Sequence, residues 1–308
     1  MPTPNPDVQP APRIVADSLA RESGLYRTTT NAFKDKLPPV PAVTFTAEHD
    51  RAFDADAPTG TVFCDVSARL LSPVPATTPL LLARYVRIRA GDVAPMSLRA
   101  TAAIVYVIRG EGATTRRKAS VEWAAGDIFR LPGGAAYDHR ARSDSILWVV
   151  GNEPEVAFHG LEPPAPEAGR LGVVYFPAAE IEQQLRQVCS TPAPADATGR
   201  AIIFTTDEFE RMASLAPSMT LALNTLDPGR AQRPHRHNSA AVTLVLAGSG
   251  CYSVVDGQRA DWQPYATMVT PAAAAHSHHN EGDRLATFLI VQDGGVFYHA
   301  RTIGFAFA

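Results

Sequence analysis

The chain has 308 residues, 45% of them hydrophobic and 19% charged, with a formal net charge of −3. Acidic residues (31) outnumber basic ones (28), which argues against a nucleic-acid partner, and no apolar run approaches the roughly 20 residues of a membrane helix. The opening Met1-Pro2-Thr3-Pro4-Asn5-Pro6 lacks the basic start and apolar core of a secretion signal, and three scattered cysteines (Cys64, Cys189, Cys251) form no disulfide framework, so a cytoplasmic protein is expected.

Residues 1–79 read as an N-terminal arm with loops. Prolines recur from Pro2 to Pro41, one helical patch is expected over residues 14–22, and residues 61–66 have strand character. Strand signals then become dense over residues 80–150. Residues 82–89 alternate apolar and basic side chains in the manner of a half-buried strand, and residues 103–108, 128–132 and 145–150 are apolar runs set off by Gly and Pro turns. Residues 151–217 read as a connector. It has one helix over 178–186, with Pro177 in its first turn, and a second short helix over 206–212 capped by Thr205 or Thr206. Over residues 218–308 the strand pattern returns, at 219–226, 242–246, 251–255, 266–270 and 285–292.

The two strand-rich regions superpose. Gly110-Glu111-Gly112 matches Gly248-Ser249-Gly250 at an offset of 138, while Trp123 matches Trp262, and Pro132 matches Pro271, at 139. Three landmarks at nearly one offset imply duplication of a β unit of roughly 70 to 80 residues, with short strands and tight turns that fit a barrel.

Five of the nine histidines fall within residues 234–280. On an extended strand His235 and His237 point to one face, and a third His from a neighbouring strand completes a metal-binding set. If the following strand has no bulge, Ser239, Ala241 and Thr243 share the inward face, leaving space beside a metal for a ring-sized ligand. Arg233, Arg284 and Arg301 are near enough in sequence to be candidate partners for an acidic ligand. His278 has the parity of His276 and is a candidate to support the metal ligands from behind or to act as an acid or base; His279 is expected to face away, and Asn280 to bond within a turn. His49, His139, His159 and His299 are read as structural or exposed.

Gly229, His235, His237 and Gly248 resemble the first motif of the cupin superfamily, and Pro271, His276 and Asn280 resemble its second. With the duplication, the chain resembles a bicupin, which implies an all-β fold of two double-stranded β-helix (jelly-roll) barrels joined by a short helical connector. The usual motif has a Glu shortly after its second His, whereas residues 238–242 here contain no carboxylate. That pattern is similar to gentisate 1,2-dioxygenase and its bicupin relatives, and residues 292–295 with Tyr298 look similar too. The resemblance implies His235, His237 and His276 as ligands of Fe(II), with O2 and a hydroxylated aromatic acid of the gentisate or salicylate kind as substrates. Mn(II) or Zn(II) is compatible with the same ligands, so a non-redox aminohydrolase, isomerase or lyase is the alternative, and a binding cupin without turnover a further one. In the family the metal motif lies in the first cupin, but here it lies in the second. The repeat offset sets Ser97, Arg99 and Tyr137 opposite the three histidines, and none of these is a good ligand, so a metal-free first barrel is expected. By analogy the chain is expected to form a homodimer or a dimer of dimers.

Overall fold

The computed structural model describes residues 22–30, 32, 34, 36–117, 119–191 and 199–308. The helical patch expected at 14–22 lies outside these, save for its last residue. In chain order, β1 (Val43–Thr44), α1 (Thr46–Phe53), β2 (Gly60–Cys64) and the single turn α2 (Ser67–Leu70) come first. The first barrel follows with β3 (Leu82–Ile88), β4 (Val93–Leu98), β5 (Ala102–Arg109), β6 (Glu111–Arg116), β7 (Ala119–Ala124), β8 (Ile128–Pro132), β9 (Ala135–Ala141) and β10 (Ser145–Gly151). Then come α3 (Glu153–Phe158), β11 (Val174–Phe176), α4 (Ala178–Cys189) and β12 (Arg200–Phe204). The second barrel has β13 (Thr220–Leu226), β14 (His235–His237), β15 (Ala241–Ala247), β16 (Cys251–Val255), β17 (Gln258–Asp261), β18 (Thr267–Thr270), β19 (His276–Asn280) and β20 (Ala286–Gln292). Helix α5 (Gly294–Ala300) and β21 (Phe305–Phe307) end the chain.

Each barrel pairs a large sheet with a smaller one. The large sheets run β11-β8-β5-β10-β3-β2 and β1-β18-β15-β20-β13-β12; the smaller ones run β4-β9-β6-β7 and β17-β16-β19-β14-β21. Alternation divides the side chains of the large sheets between two cores. One set faces the other barrel, where Tyr85, Ile104 and Trp148 pack with Leu221, Val242, Leu244 and Leu289. Hydrogen bonds cross the same layer, from Tyr85 Oη to the Tyr265 carbonyl (2.7 Å) and from Trp148 Nε1 to Thr267 Oγ1 (2.9 Å). The opposite set points into each barrel. Covered on both faces, strand β3 is wholly buried.

Several expectations change here. Arg84 and Arg87 on β3 are not on a solvated face: Arg84 pairs with Glu153 in the interior, and Arg87 reaches Asp144 and the Ala55 carbonyl. The helix expected at 206–212 is a turn followed by one 3-10 turn, Glu210–Met212. The segment before residue 79, read as arm and loops, supplies β1 and β2 to the sheets. The duplication is also longer than the β unit legible in sequence. A short strand, a helix and a second strand precede each barrel (β1-α1-β2 and β11-α4-β12), and in both copies the first strand crosses over. Strand β1 pairs with β18 of the second barrel, Val43 opposite Val269, and β11 pairs with β8 of the first, Val174 opposite Arg130.

Candidate metal centre

His235 and His237 lie two residues apart on β14, so both rings project to the inner face. Strand β14 pairs with β19 so that His235 sits opposite His276. One nitrogen from each of the three rings lies within 4.8 Å of the other two. Each ring is oriented from behind by a backbone carbonyl: Nδ1 of His235 donates to Arg233 (2.9 Å), that of His237 to Ser239 (2.7 Å) and that of His276 to Ala274 (3.0 Å). These bonds place the proton on Nδ1 in every ring, leaving three Nε2 lone pairs converging. Burial lowers the pKa of all three, that of His276 to about 4, so the rings are neutral at physiological pH. Three convergent imidazole lone pairs without a proton among them fit a divalent transition-metal ion.

The histidines open into a cavity of about 340 Å³. Ser239, Ala241 and Thr243 all line it, together with Ala222, Asn224, Thr270, Gln292 and Tyr298. Sequence reading gave no role to Asn224, Thr270, Gln292 or Tyr298, which come from other strands and from α5. None of the three candidate arginines lines the cavity. Arg233 lies over the ring of Phe307 (4.1 Å), and Arg284 and Arg301 are exposed. Every described side chain lining the cavity is uncharged. His279 faces away and stacks on Tyr252 (4.6 Å between centroids), while Asn280 donates to the carbonyls of Leu226 and Arg284.

His278 lines the cavity and is held by a chain of two hydrogen bonds. Trp262 Nε1 donates to Ser253 Oγ (2.8 Å), which bonds His278 Nδ1 (2.8 Å). The first barrel repeats this in Trp123, Thr114 and His139, at 3.0 and 2.7 Å. In both barrels the hydroxyl accepts from the indole and makes its second hydrogen bond to Nδ1 of the histidine. The sequence carried this signal, since all three residues recur at the offset of 139.

Strand register corrects the assignment of the opposite residues in the first barrel. Tyr137 pairs with Met96 as His276 pairs with His235, so the counterparts of His235 and His237 are Met96 and Leu98. Ser97 and Arg99 point outwards and are exposed, Arg99 paired with Glu162. The repeat drifts by one residue between the Gly turn and Pro132, and a one-residue slip exchanges the faces of a strand. Met96, Leu98 and Tyr137 are buried among Val86, Val105 and Leu131, so apolar packing fills this interior.

Residues 222–292 match the cupin domain model. The 1-hydroxy-2-naphthoate 1,2-dioxygenase of Nocardioides sp. (strain KP7) is 25% identical over 175 residues, a match spanning 53% of this chain and only 43% of that protein. The 5-aminosalicylate 1,2-dioxygenase of Comamonas sp. is 24% identical over 262 residues, 74% of this chain and 68% of that one. Among solved structures, the salicylate 1,2-dioxygenase of Pseudaminobacter salicylatoxidans superposes with a TM-score of 0.73 at 14% identity, covering 98% of this chain and 99% of that chain. Residues 222–292 are thus a cupin domain, and the two barrels together have a bicupin fold similar to that of salicylate 1,2-dioxygenase, in a chain whose curated relatives are gentisate- and salicylate-type dioxygenases.

Proposed function

We propose that this protein is an Fe(II)- and O2-dependent ring-cleaving dioxygenase acting on a hydroxylated aromatic acid that chelates the metal. His235, His237 and His276 would be the ligands, and the convergence of one nitrogen from each ring to within 4.8 Å of the other two carries the reading. Fe(II) on three neutral imidazoles would supply open positions for a chelating substrate and for O2. The carbonyls of Arg233, Ser239 and Ala274 hold the ligand rings in the binding tautomer. Ser239, Ala241 and Thr243 keep the wall beside the triad small enough for an aromatic ring. Because no described lining residue is cationic, the substrate's acid group is neutralised at the metal, and its ring substituents meet neutral groups such as Asn224, Thr270 and Tyr298. With Nδ1 held by Ser253, His278 has Nε2 left as its free ring nitrogen in the wall of the cavity, where it serves as a hydrogen-bonding or acid/base group. The cysteines are free, which supports the cytoplasmic reading, and a homo-oligomer is proposed by analogy.

The test is to load the apoprotein with Fe(II) without air and follow O2 consumption with gentisate, salicylate, 1-hydroxy-2-naphthoate and aminophenols. Uptake with ring opening is expected for at least one chelating acid. No uptake with any of them overturns the oxygenase reading, and turnover with Mn(II) or Zn(II) alone would replace it with the non-redox alternative.

A further inference from the structure

The last residue of β20 carries an amide that sequence reading left without a role. Gln292 Nε2 lies 3.1 Å from Nε2 of His237, inside the cavity. Since His237 Nδ1 donates to the Ser239 carbonyl, its Nε2 is a bare lone pair, and the amide N–H donates to it. The amide therefore touches the same nitrogen that would hold the metal.

Three features show that this placement is built. In backbone register Gln292 lies between Thr220 of β13 and Ala241 of β15, both of which line the cavity, so its side chain points inward. The end of the strand is pinned, because Asp293 Oδ1 accepts the backbone N–H of Ala240 (2.8 Å). Ala240 follows Ser239, whose carbonyl holds the His237 ring, so the amide and its histidine are anchored to one short loop. The first barrel supplies an internal control: Gly151 holds the place of Gln292, next to Leu82 and Ala103, and the Glu153 carboxylate occupies the space where a Cβ would stand. The amide is present in the barrel with three histidines and absent from the barrel without them.

We propose that Gln292 is a fourth, neutral ligand of the metal centre, an inference that rests on the three-His reading above. When the Nε2 lone pair of His237 binds a cation, it no longer accepts a hydrogen bond, and the amide turns to offer Oε1 instead. At 3.1 Å from the ligand nitrogen of His237, the amide lies within reach of an ion that this nitrogen would hold. The donor arrives from a different strand than the Glu of the usual cupin motif and carries no charge, so the centre keeps its full double positive charge for a chelating anion.

The experiment measures Co(II) affinity by chelator competition, and Co(II) visible absorption, for wild type, Gln292→Met and Gln292→Glu. Methionine keeps the length of the side chain and removes the amide; glutamate keeps an oxygen at the same place and adds charge. Loss of the amide should weaken Co(II) binding about 10-fold and change the intensity of the visible bands, and glutamate should restore or exceed wild-type affinity. Identical affinity and spectrum in wild type and Gln292→Met would overturn the proposal. So would a Gln292→Glu protein that binds Co(II) as weakly as Gln292→Met. Failure of the wild type itself to bind Co(II) would instead remove the three-His reading, which separates the two outcomes.

Discussion

Where the second barrel has His235, His237 and His276, the first has Met96, Leu98 and Tyr137 on strands of matching register. Inward from these, Thr243 and Asn224 line the cavity of the second barrel, while Val105 and Val86 fill the first. The frame hardly differs, down to a Trp, a hydroxyl and a His joined in both. A metal centre therefore needs more than three ligands at the right spacing. It also needs the apolar filling withdrawn around them, and in the second barrel the apolar residues gather at one end, around Leu226, Val245, Trp262, Met268 and Phe288.

The sharpest way to break this comparison is to truncate matched positions. His237→Ala should lose metal by at least about 100-fold in affinity, because only two ring ligands remain; Leu98→Ala, its counterpart, should leave metal content untouched and cost about 2–5 kcal/mol of stability through the cavity it leaves. Metal analysis with denaturant titration of both variants checks this, and full metal content in His237→Ala would refute the ligand assignment.

A smaller effect is expected at the shared hydrogen-bond chain. Thr114→Val and Ser253→Ala each strand a buried indole N–H and a ring nitrogen, and each should cost about 1–3 kcal/mol. Only Ser253→Ala should also raise KM, since His278 alone of the two histidines faces a cavity. Equal KM values in both variants would make the chain purely structural.

The smallest effect concerns Asp293. Burial pushes its carboxyl up to about 7, and it holds the Ala240 N–H. Asn152 holds the Thr101 N–H of the first barrel without a charge (2.9 Å). A carboxyl whose folded pKa is raised favours the protonated fold, so its penalty is absent below about pH 4 and grows as pH rises towards 7. Asp293→Asn should therefore gain on the order of 1 kcal/mol at pH 8 and nothing at pH 4, read as the difference in melting temperature between the two pH values. A gain that does not depend on pH would rule out the buried charge as its cause.

Much of this was legible in the sequence because the strands of the large sheets are apolar runs bounded by Gly and Pro, and because the two histidine motifs are local. His235 and His237 share a strand face by period alone. What escaped were features set by pairing rather than by pattern. Two- and three-residue strands such as β1, β11 and β21 have no periodicity to read. Arg84 and Arg87 alternate with apolar residues as surface residues do, yet a second layer covers them. Gln292 is 55 residues along the chain from His237, and only the packing of the barrel's large sheet against its smaller one brings the two side chains together. The slip from Ser97 and Arg99 to Met96 and Leu98 came from carrying one offset through a repeat whose spacing drifts by a residue.

The crossed strands β1 and β11 mean that the unit which was copied is not the unit that folds. Cut between the repeats, at the loop before Val174, each half would keep one sheet edge without its partner and one short strand without a sheet. Two such halves could satisfy each other only by exchanging their leading strands, as a symmetric pair does. In one chain that exchange is intramolecular, so its effective concentration is set by the connector rather than by the amount of protein. The covalent link thus makes the barrel with the three histidines and its filled twin obligate companions, and the filled one can do without such histidines while the pair keeps its frame.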